Sequence, residues 1–389
     1  MPRSDSDSEP QPSRSAGAAP AGDSSHPGPN PTGPSPQALS EAALALEQGG
    51  VVGVPTETVY GLAARADMPA ALAALIETKG SPSGRGFTWH AADSGALDFF
   101  PELRPLAERL AQRYWPGPLT LVLHGVPPGL AATCVDGWCG VRVPDREATR
   151  AVLQAVSGPV VATSANLAGQ APVNDPAEIL RIFAEAGTRP LDHLLSDGLL
   201  EDGQGPAGQP SSILALGRGR FELLRAGALE LAELRRVAGL RLGFVCTGNT
   251  CRSPMAGALA HSALAERLGG DPDSFGFRID TMGVTAGPGA PASQGSLEAM
   301  AELGIDLGAH RSTPAASAPL GEYDALYCMT ANHRAMLVSA LPPPLGERVH
   351  LLDPSGFDVP DPYGGDIDVY RSTRGAIEEF IGARLSEWA

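Results

Sequence analysis

Short apolar runs of strand length alternate along the chain with longer amphipathic segments of helical period, a pattern typical of α/β domains. In the first half, the amphipathic segment 36–48 predicts a helix that Gly49 and Gly50 end. The other elements predicted there are strands at 51–55, 118–125, 140–144, 158–166, 211–216 and 220–225, and helices at 71–79 and 147–156.

The second half repeats this alternation from an apolar strand at 240–246 to a last helix at 370–388. A tight loop at 246–254 joins the first strand to an amphipathic helix at 255–268. A strand, a tight loop and a helix that open a parallel sheet place the loop at a helix N-terminus, where anions bind. The other predicted elements are strands at 277–284, 323–330 and 348–353, and a helix at 296–305.

The pattern divides the chain into four predicted segments. Residues 1–36 are rich in Ser, Pro, Gly and Ala and bury too little apolar surface to form a core, so we expect a disordered tail. A twisted α/β domain is predicted at 37–228, with a Gly- and Pro-rich loop at 197–210. A charged helical stretch at 229–239 is predicted to be a linker, and a doubly wound parallel-sheet domain occupies 240–389.

Composition agrees with a cytoplasmic globular protein, since 43% of the residues are hydrophobic and 19% are charged. We expect no membrane partner, because the sequence has neither an apolar run of about 18 residues nor the basic start and apolar run of a secretory signal. Five scattered cysteines predict no disulfide framework. The net charge of −16 argues against broad nucleic-acid binding, which needs a basic surface.

The loop CTGNTCRSP (246–254) carries the strongest chemical signal. Five residues between Cys246 and Arg252 can wrap their N–H groups around a tetrahedral dianion, and Gly248 allows the backbone conformations this requires. Arg252 adds a bidentate clamp, and the following helix N-terminus favours a Cys246 thiolate. The alternatives are a buried structural cysteine or a metal site with Cys251, but no second Cys or His pair completes a zinc site.

A second motif, DPYGG (361–365), comes just before the last helix. A carboxylic acid there suits protonation of a leaving group and then deprotonation of water, although an Asp-Pro pair alone is usually a turn. With these two motifs, residues 240–389 resemble the low-molecular-weight protein tyrosine phosphatases. The resemblance implies Cys246 as nucleophile, Arg252 as phosphate clamp and Asp361 as general acid, without a cofactor or metal. It also implies phosphate-loop and pocket roles for Thr247, Gly248, Asn249, Thr250, Cys251 and Ser253.

Thr250 occupies the position that lines the substrate pocket in the family that this half resembles. A large aliphatic residue at this position suits phosphotyrosine. With a threonine there, this half resembles the branch of bacterial protein arginine phosphatases. Because a hydroxyl beside the phosphate favours a polar guanidinium over a phenyl ring, we expect protein phosphoarginine as substrate, with phosphotyrosine as the alternative. Cys251 is either a partner that traps oxidised Cys246 as a disulfide or a small packed residue.

The first half carries a series of uncommon strings, each of which alone has an ordinary interpretation as a cap or a turn. In this order they resemble the YrdC-type threonylcarbamoyl-adenylate synthases over about residues 38–230. Lys79 is the only lysine of the chain, which indicates a site where a guanidinium cannot replace an ammonium. The strings are PTETVYG (55–61), the helix that ends at Lys79, YWPGPLT (114–120), VRVP (141–144), SAN (164–166) and SSI (211–213).

The resemblance implies a site for ATP with Mg, L-threonine and bicarbonate, whose product, threonylcarbamoyl-AMP, serves tRNA modification. Its implied partners are tRNA or tRNA-modification proteins. The family's Lys-x-Arg motif is here Lys79-Gly80-Ser81, with Arg85 as the candidate substitute. The alternative is a module that binds nucleotide or RNA without turnover. The implied ligand-binding residues are Thr56, Thr58, Tyr60, Lys79, Thr120, Arg142, Ser164, Asn166, Ser212 and Arg225.

Overall fold

A computed structural model of the chain describes residues 34–80, 86–196 and 209–389. Most of the predicted tail (1–36) and of the predicted loop at 197–210 lie outside the described residues, as do Ser81 and Arg85. The described residues form two α/β units, each built around its own sheet, which confirms the predicted fold class. Within these ranges, none of the helices has the length and apolar character of a membrane span.

The first unit is a mixed sheet flanked by helices. Its strands are β1 (Val52–Val54), β2 (Gly61–Arg65), β3 (Thr88–His90), β4 (Leu119–His124), β5 (Trp138–Arg142), β6 (Val160–Ser164), β7 (His193–Leu194), β8 (Ser212–Gly217) and β9 (Arg220–Arg225). Its helices are α1 (Pro36–Glu47), α2 (Pro69–Lys79), α3 (Arg104–Tyr114), α4 (Glu147–Ala155) and α5 (Pro176–Glu185). Among the described residues, the strand order is β7-β1-β2-β6-β3-β5-β4-β8-β9.

Several of these elements were not predicted, among them β2, which lies between the first strand and the helix that was predicted to follow it. It pairs antiparallel with β1, so the segment between the two strands returns at one edge of the sheet. Four of its five residues are buried, which removes the polar alternation that would have revealed a strand. A disulfide joins Cys134, in the connection from β4 to β5, to Cys139 of β5, and the Cα atoms of the two are 4.6 Å apart.

The second unit is a parallel sheet with helices on both sides. Its strands are β10 (Arg241–Cys246), β11 (Arg278–Gly283), β12 (Ala325–Cys328) and β13 (Val349–Leu351), in the order β11-β10-β12-β13. Each pair is parallel, and β10 is central, so its carboxyl end lies at the switch point where such sheets bind ligands. Its helices, after α6 (Leu231–Ala238), are α7 (Arg252–Leu268), α8 (Gln294–Ala301), α9 (Ala331–Ala340), α10 (Pro343–Gly346) and α11 (Ile367–Trp388).

The predicted linker, 229–239, is a packed helix in the structure. Leu234 and Ala238 on α6 are fully buried, because α6 packs against α3 of the first unit and against the 3-10 turn Pro272–Phe275 of the second. Apolar side chains of the two units therefore share one continuous core cluster. Of the charges that suggested a linker, Arg236 lies on the outer face, with its side chain 72% exposed, whereas Glu233 and Arg235 are partly buried.

Candidate active sites

The loop between β10 and α7 surrounds the Cys246 sulfur with hydrogen-bonding groups. Cys246 is the last residue of β10 and Arg252 is the first of α7, so the loop spans the gap from strand to helix. The Asn249 N–H donates to Cys246 Sγ at 3.2 Å, and Ser253 Oγ lies 3.0 Å from the same sulfur. An amide and a hydroxyl at one sulfur stabilise a thiolate, which is the nucleophilic form of cysteine.

Asn249 holds the loop in shape. Its φ of 55° lies in the left-handed region, which Asn tolerates better than most residues because its side chain bonds locally. Its Nδ2 donates to Ser253 Oγ and to Thr281 Oγ1, both at 2.9 Å, and its Oδ1 accepts the Thr313 N–H at 2.8 Å. The left-handed residue of the loop is therefore Asn249, whereas the prediction assigned the unusual conformation to Gly248.

Arg252 and Asp361 meet beside the loop, although 108 residues separate them. The buried Arg252 guanidinium donates from Nη2 to Asp361 Oδ2 at 2.5 Å and from Nη1 to the Val359 carbonyl at 3.2 Å. Nη2 also lies 3.4 Å from Thr247 Oγ1. The structure thus brings the predicted clamp and the predicted acid together at the loop that carries Cys246.

His333 is part of this site and was missed by the sequence analysis. Its Nε2 lies 2.9 Å from Thr247 Oγ1, and its Nδ1 lies 2.9 Å from Thr330 Oγ1 at the start of α9. Burial, and then the positive charge of Arg252, lower the pKa of His333. A lone histidine gave no signal, because only the fold brings this residue of α9 to Thr247.

The pocket positions of the loop face α11 and the segment before α8. Thr250 is half-buried, and its carbonyl accepts the Ser293 N–H at 2.8 Å. Cys251 is buried, with its Sγ 3.6 Å from Tyr370 Oη and 3.7 Å from Thr250 Oγ1. Thr250 is therefore partly accessible, whereas Cys251 packs against Tyr370 of α11.

The first unit contains a cavity of about 450 Å³ at the ends of β2, β5, β6 and β8. Of the ten residues predicted to bind ligand, nine line this cavity. They are Thr56, Thr58, Tyr60, Lys79, Thr120, Arg142, Ser164, Asn166 and Arg225.

Ser212 is the predicted residue that the structure places elsewhere. Its Oγ accepts the Gly227 and Leu229 N–H groups at 3.1 and 2.9 Å, which ties β8 to the segment after β9. The neighbouring Ser211 lines the cavity instead, and its Oγ is 3.0 Å from Thr120 Oγ1. Successive residues of a strand point to opposite faces, so a prediction that is one residue off selects the wrong side.

The Lys79 ammonium is held by oxygens of the segment after β6. Its Nζ donates to Asn166 Oδ1 at 2.9 Å and to Ser164 Oγ at 3.2 Å, and it also contacts the Ser164 carbonyl. Asn166 Nδ2 in turn donates to the Leu167 and Gln170 carbonyls. The predicted polar pair, Ser164 and Asn166, therefore positions the only lysine of the chain at the cavity wall.

Arg142 and a pair of threonines also line the cavity. Buried Arg142 donates from Nη2 to Thr58 Oγ1 at 2.9 Å, from Nε to the Gly117 carbonyl at 3.1 Å, and pairs with Glu57. Thr58 Oγ1 lies 3.0 Å from Thr56 Oγ1.

Arg225 approaches the cavity from the end of β9. It donates from Nε and Nη2 to the Ser211 carbonyl and Oγ at 3.0 and 2.9 Å. Desolvation of its guanidinium and then the nearby charge of Arg142 lower the pKa of Arg225. Two like charges that disfavour each other in this way favour an anion placed between them.

His90, at the end of β3, also lines the cavity and was not predicted from the sequence. Burial, and then the charge of Arg142, lower its pKa to about 4. Its Nδ1 lies 3.1 Å from the Thr88 carbonyl, so the neutral ring donates from Nδ1 and leaves Nε2 as an acceptor.

Each unit matches a family model when the chain is compared with known proteins. A family model described as low molecular weight phosphotyrosine protein phosphatase matches residues 241–387. The chain is 38% identical to a protein-arginine-phosphatase of Bacillus subtilis over 142 residues, which cover 36% of the chain and 89% of that protein. The chain belongs to the low molecular weight phosphotyrosine protein phosphatase family. Its second unit is the phosphatase domain.

The first unit matches the Sua5/YciO/YrdC family model, described as telomere recombination, over residues 44–227. It is 32% identical over 204 residues to a threonylcarbamoyl-AMP synthase of Bacillus subtilis and 32% identical over 201 residues to one of Pyrococcus abyssi. These matches cover 52% and 51% of the chain and 56% of each relative. The chain therefore spans about half the length of these relatives, and it joins a YrdC-like domain to a phosphatase domain, as the motifs predict.

Proposed function

We propose that the chain is a bifunctional enzyme. Its phosphatase domain hydrolyses phosphoarginine or phosphotyrosine in proteins through a phosphocysteine intermediate. Its YrdC-like domain forms threonylcarbamoyl-AMP from L-threonine, bicarbonate and ATP, for use in tRNA modification. The observation that carries the proposal is the assembly of two separate polar sites, one around Cys246 and one around Lys79.

The phosphatase reaction follows from the contacts of the loop. The Cys246 thiolate attacks phosphorus, the bond from phosphorus to the leaving nitrogen or oxygen breaks, and Asp361 donates its proton to the leaving atom. Water then attacks the phosphocysteine, Asp361 takes up a proton, and orthophosphate leaves as the thiolate is restored. Arg252 and the loop N–H groups stabilise the charge of the transferred group.

Phosphoarginine is the substrate that we favour. Thr250 gives the loop a short, half-buried polar side chain, and the relative of this domain in Bacillus subtilis is named a protein-arginine-phosphatase. The test compares kcat/KM on phosphoarginine and phosphotyrosine peptides of identical flanking sequence. Cys246→Ser is the control that removes the nucleophile, and a preference for phosphotyrosine in the wild-type chain would contradict the assignment.

The cavity around Lys79 suits a substrate with a carboxylate and a triphosphate. Lys79, Arg142 and Arg225 supply positive charge, while Thr56, Thr58 and Thr120 supply hydroxyls. Mg²⁺ enters with ATP as part of the substrate. Among the described residues, no group of three or more His, Cys, Asp or Glu side chains is arranged to hold a metal ion, so we expect the phosphates to carry it.

Release of pyrophosphate separates synthesis from simple binding. We expect release from ATP only when L-threonine and bicarbonate are both present, and we expect Lys79→Met to abolish it. Cys246→Ser should leave this activity unchanged because its site lies in the other domain. If ATP binds but no pyrophosphate appears, the YrdC-like domain is a nucleotide-binding module without turnover.

A further inference from the structure

The hairpin formed by β8 and β9 connects the YrdC-like cavity to the phosphatase domain. At its open end, Ser211 precedes β8 and Arg225 ends β9, and both line the cavity. At its closed end, the turn Arg218–Gly219 reaches the carboxyl end of α7. Helix α7 begins at Arg252, the phosphate clamp, and ends where it meets the turn of the hairpin. The hairpin and α7 therefore touch at the ends that lie away from their site residues.

The contact at the turn leaves little space between the two backbones. The Gly219 N–H donates to the Leu268 carbonyl of α7 at 2.9 Å. Gly219 has a φ of 77°, and a Cβ there would lie 2.7 Å from the Gly269 carbonyl oxygen. Only glycine combines this conformation with this approach, so the turn is shaped for the surface it meets.

An aromatic pair seals the same contact. Phe221 of β9 and Phe275 of the phosphatase domain meet edge to face, with ring centroids 5.8 Å apart and planes at 76°. Phe275 is fully buried and Phe221 is 7% exposed. The next residue, Glu222, points to the opposite face of the strand and is exposed, so it offers a matched control.

The hairpin is irregular at its cavity end. Ile213 pairs with Arg225 but Leu214 pairs with Leu223, so β9 has one extra residue between these pairs. A bulge of this kind bends a strand and redirects the side chain that follows it. Arg225 thus reaches Ser211 by a bend in a strand whose other end is held by a different domain.

From these contacts we infer that the phosphatase domain positions Arg225 for the YrdC-like site by bracing the β8–β9 hairpin. The side-chain hydrogen bonds of Arg225 go to Ser211 of its own domain, so Phe221, Gly219 and Phe275 act on it as positioning residues. The role of Arg225 in ATP binding rests on the proposed synthase function. The packing of the β8–β9 hairpin against the phosphatase domain does not depend on that function. This link would give the fusion a structural role beyond co-expression, because the phosphatase domain would hold part of the YrdC-like site in place.

The test uses the full chain and a change in the phosphatase domain. Phe275→Leu keeps an apolar side chain but removes the ring pair. We expect it to raise the KM for ATP in pyrophosphate release by about two- to tenfold, the range that loss of an aromatic pair gives, with little change in kcat. Glu222→Ala should leave the KM for ATP unchanged, and both variants should retain wild-type hydrolysis of p-nitrophenyl phosphate.

Hydrogen exchange tests the brace without any ligand. If the turn holds the strand, Phe275→Leu will raise amide exchange at 223–225 as well as at 218–221, whereas Glu222→Ala will not. Should Phe275→Leu lose the phosphatase fold, Phe221→Leu probes the same pair from the other domain. Increased exchange confined to the turn would overturn the inference. If the wild-type chain binds no ATP, the synthase proposal fails and these exchange rates still decide the inference.

Discussion

Arg252 Nη2 and Asp361 Oδ2 are 2.5 Å apart, so the proposed phosphate clamp and the proposed general acid of the phosphatase domain form one ion pair. The Arg252 side chain is 5% exposed and that of Asp361 is 49% exposed, which makes the carboxylate the partner that is free to move. A phosphoryl oxygen that binds Arg252 competes with Asp361 for the same nitrogen. In the proposed mechanism, we therefore expect substrate binding to release Asp361 towards the leaving group.

Replacing Asp361 with asparagine tests its role as proton donor separately from its ion pair with Arg252. Asp361→Asn should lower kcat on a phosphopeptide by about 10²–10⁴-fold, because the leaving group loses its proton donor. The loss on p-nitrophenyl phosphate, whose leaving group needs no proton, should be smaller. Inhibition by orthophosphate should become stronger, because no carboxylate competes for Arg252. Asp368→Asn, an exposed change nearby, is the control, and equal losses on both substrates would contradict the assignment.

We expect Thr250 to determine which phosphorylated side chain the phosphatase domain prefers. Thr250→Ile should shift the ratio of kcat/KM on phosphoarginine and phosphotyrosine peptides at least about tenfold towards phosphotyrosine, which corresponds to about 1.4 kcal/mol. Thr250→Ser keeps the hydroxyl and should preserve the wild-type ratio. An unchanged ratio in Thr250→Ile would show that this position does not select the substrate.

Asn249 is expected to be the most sensitive structural residue of the loop. Asn249→Ala places alanine at a φ of 55° and removes three side-chain hydrogen bonds. We expect the free energy of unfolding of the phosphatase domain to fall by about 2–4 kcal/mol, together with its activity. Urea unfolding measures the loss, and Asn332→Ala on the exposed face of α9 should cost little by comparison.

Lys79 should not tolerate arginine. The ammonium fits among oxygens of Ser164 and Asn166, and the side chain is almost fully buried, so a larger planar guanidinium would displace them. Lys79→Arg should lower pyrophosphate release by about a hundredfold, the size of effect seen when one charged donor is lost from a site. Arg113→Lys, the reverse exchange on an exposed face, should have no effect. Wild-type rates in Lys79→Arg would remove Lys79 from the site.

His90 should make the stability of the YrdC-like domain depend on pH. Its pKa in the folded chain is about 4, below the value of 6.5 expected when unfolded, so the unfolded chain binds more protons between these values. The stability contribution of neutral His90 is fully present above about pH 6.5 and is lost as pH falls towards 4. The total loss is about 3 kcal/mol.

Unfolding by urea between about pH 4.5 and 7 measures this dependence. His90→Gln should flatten the slope, because glutamine does not titrate, and the exposed His261→Gln should keep the wild-type slope. The explanation fails if His90→Gln and the wild-type chain lose stability in parallel over this range.

The features that the sequence predicts well are those confined to one short segment. The loop from Cys246 to Ser253 needs only a strand before it and a helix after it, and both follow from local hydrophobic patterning. The same holds for Lys79, which ends a locally predictable Ala- and Leu-rich helix and whose residue type is unique in the chain. In these cases the chemistry and the local structure are encoded in the same stretch of residues.

Other features depend on segments that meet only in the folded chain. The side of β8 that faces the cavity depends on its register with β4, so the sequence could not decide between Ser211 and Ser212. His90 and His333 enter their sites through packing of distant elements. The position of α6 depends on its packing against both domains. The sequence could not reveal this packing, because a charged amphipathic helix has the same pattern whether it packs between two domains or links them through solvent.

Lys79 has a practical consequence, because it gives the chain a single side-chain amine. That amine is at the wall of the YrdC-like cavity and is 8% exposed. A reagent that acylates lysine therefore has one side chain to modify, and the mass that it adds there reports whether the cavity is accessible. Protection of this one amine by a bound molecule would measure occupancy of the cavity directly, without any assay of turnover.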